Sequence, residues 1–255
     1  MGYAEILPPP ALRPLVACYW AISGPAGEHR VLPDGCIDIL VMGESARVVG
    51  TMRRAIVAPA HRGAAVGVRF RPGEAARFLP EAPRELTDAD APLEALWGDD
   101  ARALEGALLE SLESEERAED VLERARTILD ASLRARLASH GEAVDVRVRA
   151  AVALLASGAG VRDTAARVEL SERQLARRFA DRVGVAPKLF SRVMRLQRAA
   201  AILARGATPS IAATEAGYAD QAHFTRDAAE LAGASPAALS REMSDSFKPR
   251  EALAS

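Results

Sequence analysis

The chain has 255 residues, 49% hydrophobic and 27% charged, enough for one large or two modest globular domains with buried cores. Its two cysteines, Cys18 and Cys36, are too few for a disulfide framework or a four-thiolate zinc site. The net charge of −2 hides an asymmetry: residues 161–205 hold 11 Lys+Arg against 4 Asp+Glu, whereas 206–245 hold 2 against 6.

No run of about eighteen apolar residues is present, and the opening MGYAEILPPPALRPL lacks the basic-then-apolar layout of a signal peptide. The expectation is a soluble cytoplasmic protein with no membrane partner. One concentrated basic block points toward nucleic acid more strongly than the near-neutral total points away from it.

Taken in chain order, residues 28–70 read as strands. HRVLP, CIDILVM, ARVVGTM and AAVGVRF are short β-branched-rich runs, separated by the turn chemistry of PDG, GES and AHRG. RPGEAARFL then predicts a helix entered through Pro72. Over 99–139, Leu104, Leu108, Leu112, Val121, Leu122, Ile128, Leu129, Leu133 and Leu137 recur at three- and four-residue spacings, a helical pattern. These helices either close the first domain or form a dimerisation arm. SHGEA (139–143) is the expected boundary, giving domains 1–142 (strands about 28–70, helices about 72–139) and 143–255.

Beyond the boundary the pattern is all-helical. Helices are expected near 144–156, 161–168, 171–183, 187–205, 209–216, 220–232 and 236–241, punctuated by glycines and restarted by Pro187, Pro209 and Pro236. The predicted fold class is therefore α+β in two domains: a mixed sheet-and-helix domain, then an all-α, seven-helix domain.

The second domain carries an internal repeat. Leu175, Arg177, Gly184 and Pro187 recur as Phe224, Arg226, Gly233 and Pro236, each 49 positions later, with cap candidates Ser171 and Asp220 in the same register. Within the first unit, VRDTAARVELSERQLARRFADRV reads as two short helices around a tight break, a helix-turn-helix spanning about 161–183. Ser171 caps the second of these, and Gln174 can complete a capping box. Leu175, Phe179 and Val183 must face the core, which turns Arg173, Ala176, Arg177 and Ala180 outward, flanked by Gln174, Arg178 and Asp181. Arginine can pair with guanine and glutamine with adenine in a major groove. A solvated amphipathic face is the bland alternative; the repeat and the basic block favour nucleic acid. In the second unit (about 209–232), Gln221, Thr225 and Arg226 face outward, while Asp227 and Glu230 are expected to repel phosphates.

Two such units joined by a long helix at about 187–205, with GVAPKLFSRVMRLQRAAAIL after the first and AGYADQAHFTRDAAELAGASPAAL as the second, resemble the DNA-binding domain of AraC/XylS-type transcriptional regulators over roughly 145–241. The resemblance is carried above all by Gly217, Tyr218, Asp220, Gln221, His223, Phe224, Arg226, Gly233 and Pro236. It implies two recognition helices held in successive major grooves of double-stranded DNA. Arg173, Gln174 and Arg177 take the first reading positions, and Gln221, Ala222, Thr225 and Arg226 the second. The candidate DNA-contacting set is Ser171, Arg173, Gln174, Arg177, Arg178, Lys188, Gln221, Thr225 and Arg226. Departures from the family pattern are Ala228 in place of a large aromatic, Ala222 as a mute reading residue, and the acidic Asp227 and Glu230.

VLPDGCIDILV (31–41) and VGVRFRPGEAARFL (66–79) resemble the uncharacterised domain that precedes some AraC/XylS DNA-binding domains, and this position implies a sensor. Pro33-Asp34-Gly35 is first a tight turn; alternatively Asp34, Cys36, Asp38, Arg69 and Arg71 line an effector pocket. Asp38 interrupts an apolar strand, so it either faces water or is paired. RNA polymerase, a small-molecule effector and a second copy of the chain are further candidate partners. Some regulators with this DNA-binding domain accept alkyl groups on a cysteine, which makes a thiol sensor or alkyl acceptor at Cys36 the rival reading. Asp34 and Asp38 beside Cys36 raise its pKa and favour an inert, packed thiol. A protein-interaction module that has lost DNA binding is a second rival. A zinc set of His29, Cys36, Asp38 and His61 matches no ligand spacing. With no Ser/His/Asp grouping, phosphate loop or paired-carboxylate motif, neither catalysis nor a cofactor is expected.

Overall fold

The structure, a computed structural model, describes residues 2–112 and 117–246. Positions 113–116 of the expected helical stretch, and 247–255 of the second domain, lie outside the described residues.

The amino-terminal part is built on one antiparallel sheet in the order β1-β2-β7-β4-β5-β8, from Gly2–Ile6, Val16–Ser23, Ala65–Phe70, Asp38–Met42, Ser45–Val49 and Asp90–Pro92. A separate ribbon pairs β3 (His29–Val31) with β6 (Ile56–Ala58). Helices α2 (Asp99–Ser111) and α3 (Ala118–His140) cover one face of the sheet, after the single turn α1 (Glu94–Trp97). Alternate strand residues Tyr19, Ile39, Val66, Val68 and Phe70 meet Leu104, Leu108, Leu122, Leu129 and Leu133 there. The Tyr19 hydroxyl donates to Asp130 Oδ1 at 2.5 Å, pinning α3 to the sheet. The apolar stripe of α2 and α3 therefore packs on the sheet inside the chain, and these helices close the first domain.

Three sequence expectations are corrected here. The helix predicted from RPGEAARFL is only a 3₁₀ turn at Ala75–Arg77, followed by another at Pro83–Leu86, so the α-helices of the described residues lie within 94–111 and 118–140 rather than across 72–139. The sheet also extends outside 28–70: β1, β2 and β8 were not anticipated. β2 is buried along nearly all its length, so VACYWAIS shows none of the alternation that marks a half-exposed strand.

From Val146 the chain is helical: α4 (Val146–Ala156), α5 (Val161–Arg167), α6 (Glu172–Val183), α7 (Pro187–Ala204), α8 (Pro209–Ala216), α9 (Gln221–Asp227) continuing into a π-helical turn Ala228–Ala232, and α10 (Pro236–Ser246). Phe179, Phe190, Leu196, Leu203, Phe224 and Leu239 centre a second core. Leu32 of the amino-terminal part belongs to this second core, so the two parts are packed against each other and not merely tethered. The last helix runs past the expected 241 to Ser246.

Candidate nucleic-acid interface

The repeat is reproduced in the coordinates position by position. Leu175 and Phe224 are both fully buried, and Arg177 and Arg226 are both exposed. Ser171 accepts from the Gln174 amide and Asp220 from the His223 amide, so each reading helix begins on a side-chain cap. Each ends on a left-handed glycine, Gly184 (φ 95°) or Gly233 (φ 63°), and Pro187 and Pro236 each open the next helix.

On α6, burial of Leu175, Phe179 and Val183 leaves Arg173, Gln174, Ala176 and Arg177 exposed, as the spacing required. The helix N-terminus adds its own partial positive charge to this face. Not every candidate is free to read. Gln174 Oε1 already accepts from the Ser171 amide at 2.9 Å and the Ser171 hydroxyl at 3.0 Å, so Ser171 and Gln174 form a closed capping box. A bidentate adenine contact by Gln174 needs that same oxygen. Arg178 lies 3.7 Å from Asp145, and Arg182 pairs with Glu142, so these two cations are partly neutralised by the connection between α3 and α4. Lys188 is exposed in the first turn of α7.

On α9, Gln221, Ala222, Thr225 and Arg226 are exposed and Phe224 is core. Thr225 donates its hydroxyl to the Gln221 carbonyl at 2.9 Å, which leaves its methyl as the outward group. The expected repulsion from Asp227 and Glu230 is corrected by a contact that sequence reading missed. Arg192 of α7 donates to Asp227 Oδ1 at 2.8 and 3.1 Å and to Glu230 at 2.6 and 3.1 Å. Asp227 is only 4% exposed, so it faces the protein and not the DNA side. Hydrogen bonds from Arg192 hold the Glu230 carboxyl below its ordinary value, and Glu230 and then Asp227 raise the Arg192 pKa in turn.

Asp34, Cys36, Asp38 and Arg69 come together on the sheet face opposite α3, around Cys18 and Trp20. Arg69 bridges Asp38 at 2.8 and 3.1 Å, with Glu5 at 3.5 Å and Asp34 at 3.6 Å. Burial opposes its charge, but Asp38 and Asp34 more than compensate and raise its pKa well above the usual value. Asp38 is thus paired, the second of its two options. Asp34 accepts from the Cys36 amide at 3.0 Å, making the Pro33-Asp34-Gly35 segment a turn whose tip packs on Phe190 of α7. Arg71 Nε donates to the Arg13 carbonyl at 2.7 Å. The Cys36 thiol is buried, which withholds it from alkylating agents or oxidants. Among the described residues, no group of three or more metal-ligating side chains is assembled, and no helix is long and apolar enough to cross a membrane.

Between the parts lies a cleft of about 610 Å³, lined by Leu79, Glu81, Arg84, Glu142, Arg177 and Arg178 among others. It places one wall of the amino-terminal part beside the reading face of α6.

Two exposed, arginine-bearing helices in repeated helix-turn-helix units define a DNA-binding protein. The comparisons agree: residues 164–242 match the family model described as a helix-turn-helix domain, and residues 4–92 match a domain of unknown function, DUF6597. The chain therefore carries an AraC-type helix-turn-helix domain preceded by a DUF6597 domain, an arrangement that supports a DNA-binding transcriptional regulator. No curated protein matches it. Similar solved structures include an apo ToxT variant from Vibrio cholerae strain SCE256, with TM-score 0.48 and 13% identity over 89% of this chain and 98% of that one. ToxT from Vibrio cholerae O395 gives 0.46 and 10%, over 89% and 99%. Wild-type ToxT with bound unsaturated fatty acid, strain SCE256, gives 0.44 and 10%, over 97% and 98%.

Proposed function

We propose that the protein reads specific sequences in two successive major grooves, one with α6 and one with α9, under control of its amino-terminal domain. The observation that carries this reading is the equivalence of the two helices. At the same repeat positions, each buries one hydrophobic anchor, exposes one arginine and begins on a side-chain cap. Arg173 and Arg177 are the residues assigned to base edges in the first groove, and Gln221 and Arg226 in the second. Arg178 and Lys188 are assigned to phosphates, and Thr225 offers a methyl to a thymine. Ser171 and Gln174 act first as the cap that presents the helix.

Control by the amino-terminal domain is supported by the cleft beside Arg177 and by the ion pairs from Glu142 and Asp145 to Arg182 and Arg178. Any ligand or partner that alters that wall changes the surroundings of the reading face directly.

Salt titration of duplex binding tests the proposal. With about 5 to 7 phosphates neutralised, log K falls against log salt with a slope of roughly −4.5 to −6. A flat response removes DNA binding and leaves the protein-interaction rival.

A further inference from the structure

The last carbonyls of a helix have no partner within it and must be satisfied from outside. In this protein the last carbonyls of both reading elements are taken by donors of the amino-terminal domain, two of them within Gly50–Ala55. Thr51 donates its hydroxyl to the Val183 carbonyl at the end of α6, at 2.6 Å, and Thr87 does the same to Gly184 at 2.6 Å. The Ala55 amide donates to the Leu231 carbonyl at 2.7 Å, and Arg30 Nη1 to the Ala232 carbonyl at 2.8 Å, both at the end of the π turn after α9. Val183 and Ala232 stand 49 positions apart, the offset of the internal repeat, so equivalent carbonyls of the two units each accept from an amino-terminal side chain, Thr51 in one and Arg30 in the other.

Thr51 and Ala55 are four residues apart, a reach of at most about 14 Å in extended chain. The stretch between them is itself backed. The Gly50 amide donates to Ala89, Thr51 accepts from the Asp88 amide, and Asp88 holds both the backbone and the guanidinium of Arg53, at 2.7 and 2.5 Å. Gly50 lies so close to Leu86 that a Cβ there would fall 1.7 Å from its carbonyl oxygen. Thr51 is fully buried. The ends of the two reading elements are thus joined through a short, braced segment that belongs to neither.

We propose that Gly50–Ala55 is a brace that fixes the separation of the two reading helices, so that the amino-terminal domain sets the half-site spacing the protein accepts. Thr51 and Arg30 are its positioning residues. The proposal rests on the two-groove reading above. It assigns the amino-terminal domain a part in DNA specificity without any DNA contact of its own: a tethered, unbraced pair of helices tolerates altered spacing, and a braced pair does not.

The test uses the full chain. Duplexes are selected from a random-sequence pool and footprinted, and Kd is measured on the selected site, on versions with one base pair inserted or removed between the contacted segments, and on a duplex keeping only the first. For Thr51→Ala, the ratio of Kd on altered spacing to Kd on the selected site falls by about three- to tenfold, the worth of one buried neutral hydrogen bond. Binding to the first segment alone stays within twofold of wild type. Thr51→Ser, which retains the hydroxyl, restores the wild-type ratio, and Arg30→Gln lowers it in a chain whose Thr51 is intact. A two-groove footprint with the spacing ratio unchanged in both Thr51→Ala and Arg30→Gln overturns the brace alone. So does an equal loss on all duplexes, which marks Thr51 as a stability residue only. An unselective pool or a footprint confined to one groove refutes the two-groove reading, and the brace with it.

Discussion

Replacing Arg192 by methionine keeps most of the aliphatic stem and removes the charge that holds Asp227 and Glu230. Asp227 is 4% exposed and takes two hydrogen bonds from that guanidinium through Oδ1. Stripping the partner from a fully buried carboxylate costs about 3–5 kcal/mol. The Arg192 side chain is itself 25% exposed, so solvent relieves part of the loss and about 2–3 kcal/mol is expected. Glu230 is half-exposed and adds only a small part. Urea unfolding followed by far-ultraviolet circular dichroism reads this as a lowered midpoint at unchanged slope. Asp227→Asn in the Arg192→Met background recovers more than half the loss, because an amide is cheaper to bury than an unpaired carboxylate. In DNA titrations the single variant binds all duplexes more weakly, since negative charge is uncovered near Arg226. A cost under about 0.5 kcal/mol, with no rescue by Asp227→Asn, refutes the claim that this ion pair is structural.

Further outcomes follow from the same geometry. Arg177→Ala weakens specific binding by ~1–3 kcal/mol and relaxes preference at one base pair, measured by competition among single-base variants of the selected site. Arg226→Ala costs less than Arg177→Ala in the same titration, and the reverse order refutes the ranking of the two halves. Gln174→Glu keeps the capping box, so thermal stability is unchanged. If Gln174 also reads a base, preference at that pair shifts toward cytosine, whose amino group a carboxylate accepts. Because Arg192 depresses the Glu230 carboxyl below its ordinary 4.5, the pair stabilises the fold fully above that pH and loses its effect as pH falls through the lower folded value. The gap in urea midpoint between wild type and Glu230→Gln therefore closes in strong acid, and a gap that widens there contradicts the assignment.

The helical half was largely legible because its signals are local. Proline at the first turn, glycine at the left-handed cap and a side-chain cap at the start placed most helices from α4 to α9 within about two residues of where they lie. What failed was whatever depends on distant partners. Val16–Ser23 is covered on both faces and carries no alternation to detect, while RPGEAARFL has helical composition but stops after one 3₁₀ turn. Gln174 is legible in the sequence both as a cap and as a reader, and only the fold shows that its Oε1 is already taken by Ser171. The bonds from Thr51 and Thr87 to the end of α6 span 132 and 97 residues, and no periodicity announces them.

Charge shows most clearly how a window of sequence misleads. Residues 206–245 sum to a net acidic unit, which argues that the second helix-turn-helix repels DNA. Yet Asp220 is occupied as the cap of α9, Asp227 and Glu230 by Arg192 of the linker helix, and Glu242 by Arg30 of the amino-terminal domain. Four of the six acids in the window are therefore engaged, three of them by cations outside it. Counting Arg192 and Arg30 halves the excess, from four negative charges to two, and Arg226 is an exposed cation on the reading face. On the two-groove reading proposed above, the first unit, where Arg173, Arg177 and Lys188 are exposed, carries most of the attraction to DNA. The second has to contribute through fit, and fit is worth something only if its position is held. That requirement gives the contacts at Leu231 and Ala232 their importance: a helix with little long-range pull on DNA gains most from being delivered already in place.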